Sequence, residues 1–242
     1  MKLYGLVGKN IAYSFSRKYF QEKFKNGNID ADYQNFDIEN IIDFKKILVE
    51  NPNLNGLNVT IPYKEKVIPF LDEIDEQAQQ IGAVNTIKFD NQKLMGYNTD
   101  AYGFMKALFP LLEKQHQKAL ILGKGGASKA ITHVLESMDI DFTYVSRNPQ
   151  GEDFSYTDVN KEIIESHKLI INCTPLGTYP NVNQHPEISY EYLTSQHLLF
   201  DLVYNPAITT FLALGKQKNC KIANGQKMLE YQAERAWEIW NS

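Results

Sequence analysis

Lys118-Ala119-Leu120-Ile121-Leu122-Gly123-Lys124-Gly125-Gly126-Ala127-Ser128-Lys129-Ala130 is the stretch that decides the architecture. An apolar run too short for a helix ends in glycine, a cluster of further glycines follows, and a helical pattern begins at about 126. This is a strand, a tight turn and a helix. Outward from it, strand and helix patterns keep alternating, which specifies an α/β fold with parallel pairing. Upstream, strands are expected at 3–8, 31–37 and 55–60, with helices at 16–25 and 40–49. A short helix is expected from Pro62 and another at 75–81. Extended runs at 83–89 and 93–97 flank Asp90-Asn91, which reads as a hairpin turn, and a helix follows over 99–112. Downstream come a helix at 126–137, a strand at 140–146, a helix at 159–166 and strands at 168–173 and 197–202. A helix at 207–216 and a strand at 219–222 precede an amphipathic helix from Gly225 to Trp240.

Composition limits the function classes. The 242 residues carry a net charge of −4 and are 43% hydrophobic, with a pI near 5.8. Such a chain can bury a large core and offers no basic field to nucleic acid or an anionic membrane. The five histidines lack metal-ligand spacing. The two cysteines, Cys173 and Cys220, form no CxxC. No run approaches the ~20 apolar residues of a membrane-spanning helix, and the start does not read as a signal peptide. The expectation is a soluble cytoplasmic protein with free thiols.

A second stretch, Asn58-Val59-Thr60-Ile61-Pro62-Tyr63-Lys64, carries the chemistry. Read as a strand, it puts Asn58 and Thr60 on one face and Leu57, Val59 and Ile61 on the other. Pro62 stops the strand and suits a first helical turn, which brings Lys64 over the polar face. Polar groups beside a lysine suit a small hydroxylated molecule held next to a proton donor. No histidine lies in or beside these motifs, so lysine is the best candidate for the acid.

The glycine turn stands where a helix N-terminus and close backbone approach hold a pyrophosphate; the alternative is a structural glycine-rich turn. In such folds an acidic residue about 20 positions on binds a ribose 2′-hydroxyl, whereas arginine suits a 2′-phosphate. The next strand ends in Ser146-Arg147-Asn148-Pro149, with no carboxylate at its tip, which favours NADP. Two further loops, Ile171 to Gly177 and Asp201 to Pro206, also end apolar strands. Cys173 reads as a thiol lining a turn, because no histidine relay can be assigned to it.

Together these segments resemble the shikimate dehydrogenase family. The motifs are Ser14-Phe15-Ser16, Asn58 to Lys64, Ala83-Val84-Asn85-Thr86, Gly96-Tyr97-Asn98-Thr99-Asp100, the Gly123 turn, Ser146-Arg147-Asn148, Asn172 to Gly177, Asp201 to Pro206, and Asn224 to Leu229 with Gln232. The resemblance implies an N-terminal mixed-sheet α/β substrate domain, residues 1–100 with 225–242, and a Rossmann-like NADP-binding domain, residues 101–224. It implies reversible reduction of 3-dehydroshikimate to shikimate in aromatic biosynthesis, with Lys64 and Asp100 as acid/base pair. By the same resemblance Ser14, Ser16, Asn58, Thr60, Asn85, Tyr204 and Gln232 bind substrate. Gly123, Gly125, Gly126, Ala127, Ser146, Arg147, Asn148, Thr174, Gly225 and Met228 belong to the cofactor. The partner implied is a small molecule, neither nucleic acid nor membrane, for a monomer or homodimer without a metal. Two readings stand beside it: a quinate/shikimate dehydrogenase accepting NAD, and a silent NADP-binding sensor. The chain departs from the family pattern at Arg17, where proline is usual, at Lys124, where alanine is common, and at Glu152 and Asp153, where a second basic residue often stands.

Overall fold

The structure is a computed structural model describing residues 1–12, 14–90 and 93–242. Asn91 of the expected hairpin turn lies outside the described residues. The chain divides into two compact units, Met1–Gly103 with Leu229–Ser242, and Phe104–Met228.

The first unit contains β1 (Lys2–Gly8), α1 (Phe15–Asn26), β2 (Ala31–Asp37), α2 (Phe44–Glu50), β3 (Leu54–Val59), β4 (Glu73–Ile74), α3 (Glu76–Ile81), β5 (Thr86–Asp90), β6 (Lys93–Tyr97) and the start of α4 (Thr99–Leu108). Its sheet runs β2-β1-β3-β5-β6-β4. β1 pairs in parallel with both β2 and β3, β5 is antiparallel to β3 and β6, and β4 is parallel to β6, so the sheet is mixed. The two-residue period of β1 explains the layers. Leu3 and Val7 enter one apolar cluster with Leu57 and Val59 of β3, while Tyr4 and Leu6 enter another with Phe20, Phe24, Tyr33 and Trp240.

Phe20 and Phe24, four apart on α1, present one buried edge. Stacked rings tie the second cluster together, Phe20 on Tyr33 and Tyr4 on Trp240 with centroids 4.8 Å apart in each case. Each such pair contributes about 0.5–1.5 kcal/mol beyond the area it buries. Gly56 is required here, because a Cβ at that position would stand 2.4 Å from the Trp240 ring.

The second unit contains β7 (Lys118–Leu122), α5 (Gly126–Ser137), β8 (Asp141–Val145), α6 (Lys161–Ser166), β9 (Leu169–Asn172), β10 (Leu198–Asp201), α7 (Thr210–Gln217), β11 (Lys221–Ala223) and the start of α8 (Gln226–Asn241). Every strand pairing is parallel, in the order β11-β10-β9-β7-β8. All four residues from Ala119 to Leu122 are fully buried, as expected of a parallel strand covered on both faces. The order reverses between β7 and β9, and the crevice beyond the carboxyl ends of such a pair is where α/β sheets bind ligands.

Three sequence expectations are corrected. No helix starts at Pro62; residues 64–67 form turns and a 3₁₀ turn covers Ile68–Phe70. The Lys64 carbonyl accepts from Val84 N (2.8 Å), and Pro69 has no N–H to return to Glu65, so an α-helical ladder cannot propagate. Ile61 does not join Leu57 and Val59 in the core: β3 ends at Val59 and Ile61 is 70% exposed. The helix expected from 207 starts at Thr210, where the Thr209 hydroxyl accepts from Leu212 N.

Candidate functional site

In the first unit, buried amides and hydroxyls gather on the Asn58 side of the sheet. Asn58 points away from Leu57 and Val59, as its strand parity requires. Its Oδ1 accepts from the Tyr33 hydroxyl (2.8 Å), and its Nδ2 donates to Asn85 O (3.3 Å) and Thr86 Oγ1 (3.2 Å). Asn85 lies just before β5, with its backbone joined to β3 and β6 through Val59 N and Tyr97 O. Its Oδ1 accepts from Thr99 N (2.7 Å), Thr99 Oγ1 (3.2 Å) and Thr86 Oγ1 (3.1 Å), and its Nδ2 donates to Gln232 Oε1 (3.4 Å). Asn98 caps α4, accepting from Ala101 N (3.2 Å), while its amide donates to Ala83 O (2.9 Å). That cap fixes the first turn of α4 and, with it, Asp100.

Asp100 Oδ2 then meets Lys64 Nζ at 2.6 Å, the two side chains being only 5% and 15% exposed. A charge-assisted bond between such sheltered groups fixes the ammonium in one place. Thr60 is half-buried just beyond β3, with its N–H donating to Val7 O. Ser14 occupies the cap position of α1, yet its hydroxyl makes no cap bond. Ser16 approaches the Tyr33 hydroxyl, and Arg17 is exposed.

In the second unit, a cavity of about 1050 Å³ opens among the turns that follow β7, β8 and β9, with Gly123, Gly125, Ser146, Arg147, Asn148 and Thr174 in its lining. Gly123 has φ +95°, and a Cβ there would stand 2.7 Å from the Thr174 methyl. A Cβ on Gly125 or Gly126 would meet nothing within 4 Å, so these two leave open space at the start of α5. Ser128 closes the turn, accepting from Gly125 N (3.1 Å) and donating to Gly125 O (2.7 Å).

Thr174 is held from below. Its N–H and hydroxyl both donate to Asn172 Oδ1 (3.0 and 2.6 Å), whose Nδ2 donates to Asp201 Oδ1 (2.9 Å). Asp201 also accepts from Val203 N and the Thr209 hydroxyl, while burial pushes its carboxyl up to about 6 against those donors. Burial likewise pushes the Cys173 thiol far up, so it is no thiolate nucleophile. Gly225 is buried where a Cβ would stand 2.1 Å from Leu202 O, so only glycine fits there. Met228 is buried and Tyr204 is half-buried with a raised phenol, again through burial.

Comparisons with known proteins give the family. Residues 6–87 fit the family model described as the shikimate dehydrogenase substrate binding domain. The NADP(+) shikimate dehydrogenase of Clostridium botulinum (strain Hall) is 38% identical, over 98% of this chain and 95% of its own length. The chain belongs to the shikimate dehydrogenase family. A crystal structure of a shikimate dehydrogenase in complex with NADP+ superposes with a TM-score of 0.89 at 34% identity, over 99% of this chain and 90% of that one. The Thermus thermophilus enzyme in complex with NADP(H) and shikimate gives 0.87 at 28% identity, over 99% and 93%.

The structure adds hydrogen-bond partners that sequence reasoning missed. Tyr33 gives no local signal, since its contact with Asn58 spans two strands. Thr86 and Thr99 sit inside quoted motifs, but only the fold shows them bracing Asn85. Nothing in the sequence ties Asp201 and Asn172 to Thr174. Among the described residues no group of three or more His, Cys, Asp or Glu is placed to hold a metal ion.

Proposed function

We propose that this chain is an NADP-dependent shikimate dehydrogenase that reduces the ketone of 3-dehydroshikimate reversibly to the hydroxyl of shikimate. The observation that carries the mechanism is the sheltered Lys64–Asp100 pair at 2.6 Å beside the Asn58–Asn85 cluster. The first unit holds substrate: Ser14 and Ser16 face its carboxylate, and Asn58, Thr60, Asn85 and Gln232 serve its hydroxyls or carboxylate. The Ser14 hydroxyl, which makes no cap bond, supports this, as does the way Asn58 and Asn85 are locked by neighbours, which leaves little reorganisation on binding.

The second unit takes the dinucleotide. Its residues fit that group: Gly123, Gly125 and Gly126 open the backbone at a helix N-terminus, and Arg147 and Asn148 lie on the β8 turn. Ser146 shapes that turn, accepting from Asn148 N, and Ala127, Thr174, Gly225 and Met228 complete the surroundings. When bound, NADPH supplies a hydride. As the carbonyl carbon gains that hydride, negative charge develops on its oxygen. Lys64 Nζ stabilises it and gives up a proton to form the hydroxyl; in the oxidation direction neutral Lys64 takes that proton back. Asp100 keeps Lys64 Nζ aimed throughout.

The enzyme acts on a small acid in the cytoplasm, as a monomer or homodimer. Among the described residues no helix is long and apolar enough to cross a membrane, and light scattering on the eluted protein reads the assembly. The deciding experiment is nicotinamide reduction by purified protein with shikimate or quinate and NADP or NAD. The expected order of kcat/KM puts shikimate with NADP first. A lead for quinate or NAD, or no turnover at all, replaces the reading.

A further inference from the structure

Lys124 is the one residue of the Gly123–Gly126 turn with a side chain, and that side chain leaves the turn. Its Nζ lies 2.8 Å from Asp153 Oδ2 and 4.9 Å from the centre of the Tyr144 ring. The Tyr144 face favours a cation there, so the ammonium has two reasons to sit over the β8 edge. Asp153 is 8% exposed and also accepts from Gln150 N (3.1 Å). The ammonium holds its carboxyl below the usual range, so it is an anion at neutral pH.

That anion is fixed next to the Arg147 turn. Phe154 N donates to Tyr144 O and Ser146 N to Phe154 O, which staples the Asp153 segment to the end of β8. A carboxylate anchored beside this turn opposes a doubly charged phosphate and is indifferent or favourable to a plain hydroxyl, which can donate to it. Lys124, Arg147 and Glu187 line the cavity, and the Asp153 carboxylate is bonded to Lys124. These four charges cancel, and without Lys124 they sum to one unit negative.

We infer that Lys124 is a specificity-determining residue for the 2′-phosphorylated cofactor, acting by neutralising Asp153 rather than by touching the phosphate. This rests on the NADP reading above. A carboxylate where a second cation would help is thereby made compatible with NADP.

The test is calorimetric titration of NADP+ and NAD+ at low salt into wild type, Lys124→Met, Asp153→Asn and the double variant, each checked for an unchanged thermal midpoint. Lys124→Met should weaken NADP+ about three- to tenfold, the scale of one unscreened surface charge acting on a dianion, and leave NAD+ within about twofold. Adding Asp153→Asn should restore NADP+ binding to the wild-type value. Asp153→Asn alone should tighten NADP+, which keeps the inference testable if Lys124→Met folds poorly. Equal losses for both cofactors, no loss, or a double variant as weak as Lys124→Met overturns it; the last result would mean direct contact with the phosphate. Wild type preferring NAD+ would instead remove the NADP reading itself.

Discussion

The cluster around Asn58 and Asn85 and the cradle around Gly123 and Arg147 are built from different materials. In the first unit the polar atoms belong to side chains, are almost fully buried and are nearly all committed to one another. In the second, the shape comes from backbone and missing side chains, and the cations Arg147 and Lys124 are exposed. Buried, satisfied networks are rigid and costly to disturb, whereas exposed charges adjust at little cost to the fold. Substitutions in the cluster should therefore change rate and stability, and substitutions in the cradle should change affinity and selectivity.

The largest effect tests the chemical half. Lys64→Ala should lower kcat about 10²–10⁴-fold, the range for removing general acid–base help, with a much smaller change in KM. A loss confined to KM would make Lys64 a binding residue and erase the contrast between the units.

Next comes Asn85→Ala, which leaves Thr99 N–H and the Thr86 hydroxyl without their buried acceptor. A loss of about 1–3 kcal/mol in denaturant unfolding is expected, together with reduced turnover. Unchanged stability would show that the network is less committed than its distances imply.

How much of this contrast was legible in the sequence follows from the same materials. The cradle was readable because it depends on local chain geometry: Gly123 at positive φ and glycines at a helix start leave a mark in consecutive residues. The strand parity of Asn58 was readable too, since period 2 is a local rule. What failed was non-local. The turn after Pro62 depends on a bond from Val84 to the Lys64 carbonyl, so propensity at Pro62 predicted a helix that tertiary pairing overrode. The Lys124–Asp153 pair spans 29 residues, and no pattern in either segment announces it.

A smaller effect tests the cradle. Arg147→Ala should weaken NADP+ about tenfold, the worth of one charge-assisted bond to phosphate, and leave NAD+ and the unfolding midpoint unchanged. Equal losses for both cofactors would assign Arg147 to the shape of the β8 turn and blur the distinction drawn for exposed charges.

The smallest effect concerns pH and the second unit alone. His116 and His197 are buried in matching loops: each Nδ1 accepts an N–H from three residues earlier, Glu113 (2.8 Å) and Thr194 (3.0 Å). Each Nε2 faces a carbonyl, Gln196 O and Ile164 O, which fixes both rings as neutral Nε2–H tautomers. Protonating Nδ1 would turn an acceptor into a donor aimed at another donor. Burial holds both rings below the usual histidine range; Lys221 near His116 and Lys168 near His197 push the same way, and Glu113 pulls His116 back only in part. With folded values below the unfolded reference near 6.5, the unfolded chain binds more protons. Their contribution is thus whole above about pH 6.5 and is lost as pH falls through the folded values. Asp201, raised to about 6, works in the opposite sense: its contribution is present below its unfolded value and is lost as pH rises through 6. A net acid slope therefore shows only if the histidines outweigh it, and a single-site variant separates them. In His116→Asn the amide oxygen replaces Nδ1 as acceptor for Glu113 N and cannot titrate. Its thermal midpoint should fall less than that of wild type between pH 7 and pH 5. Parallel pH profiles for the two proteins would remove His116 from the acid response and leave it a purely structural loop cap.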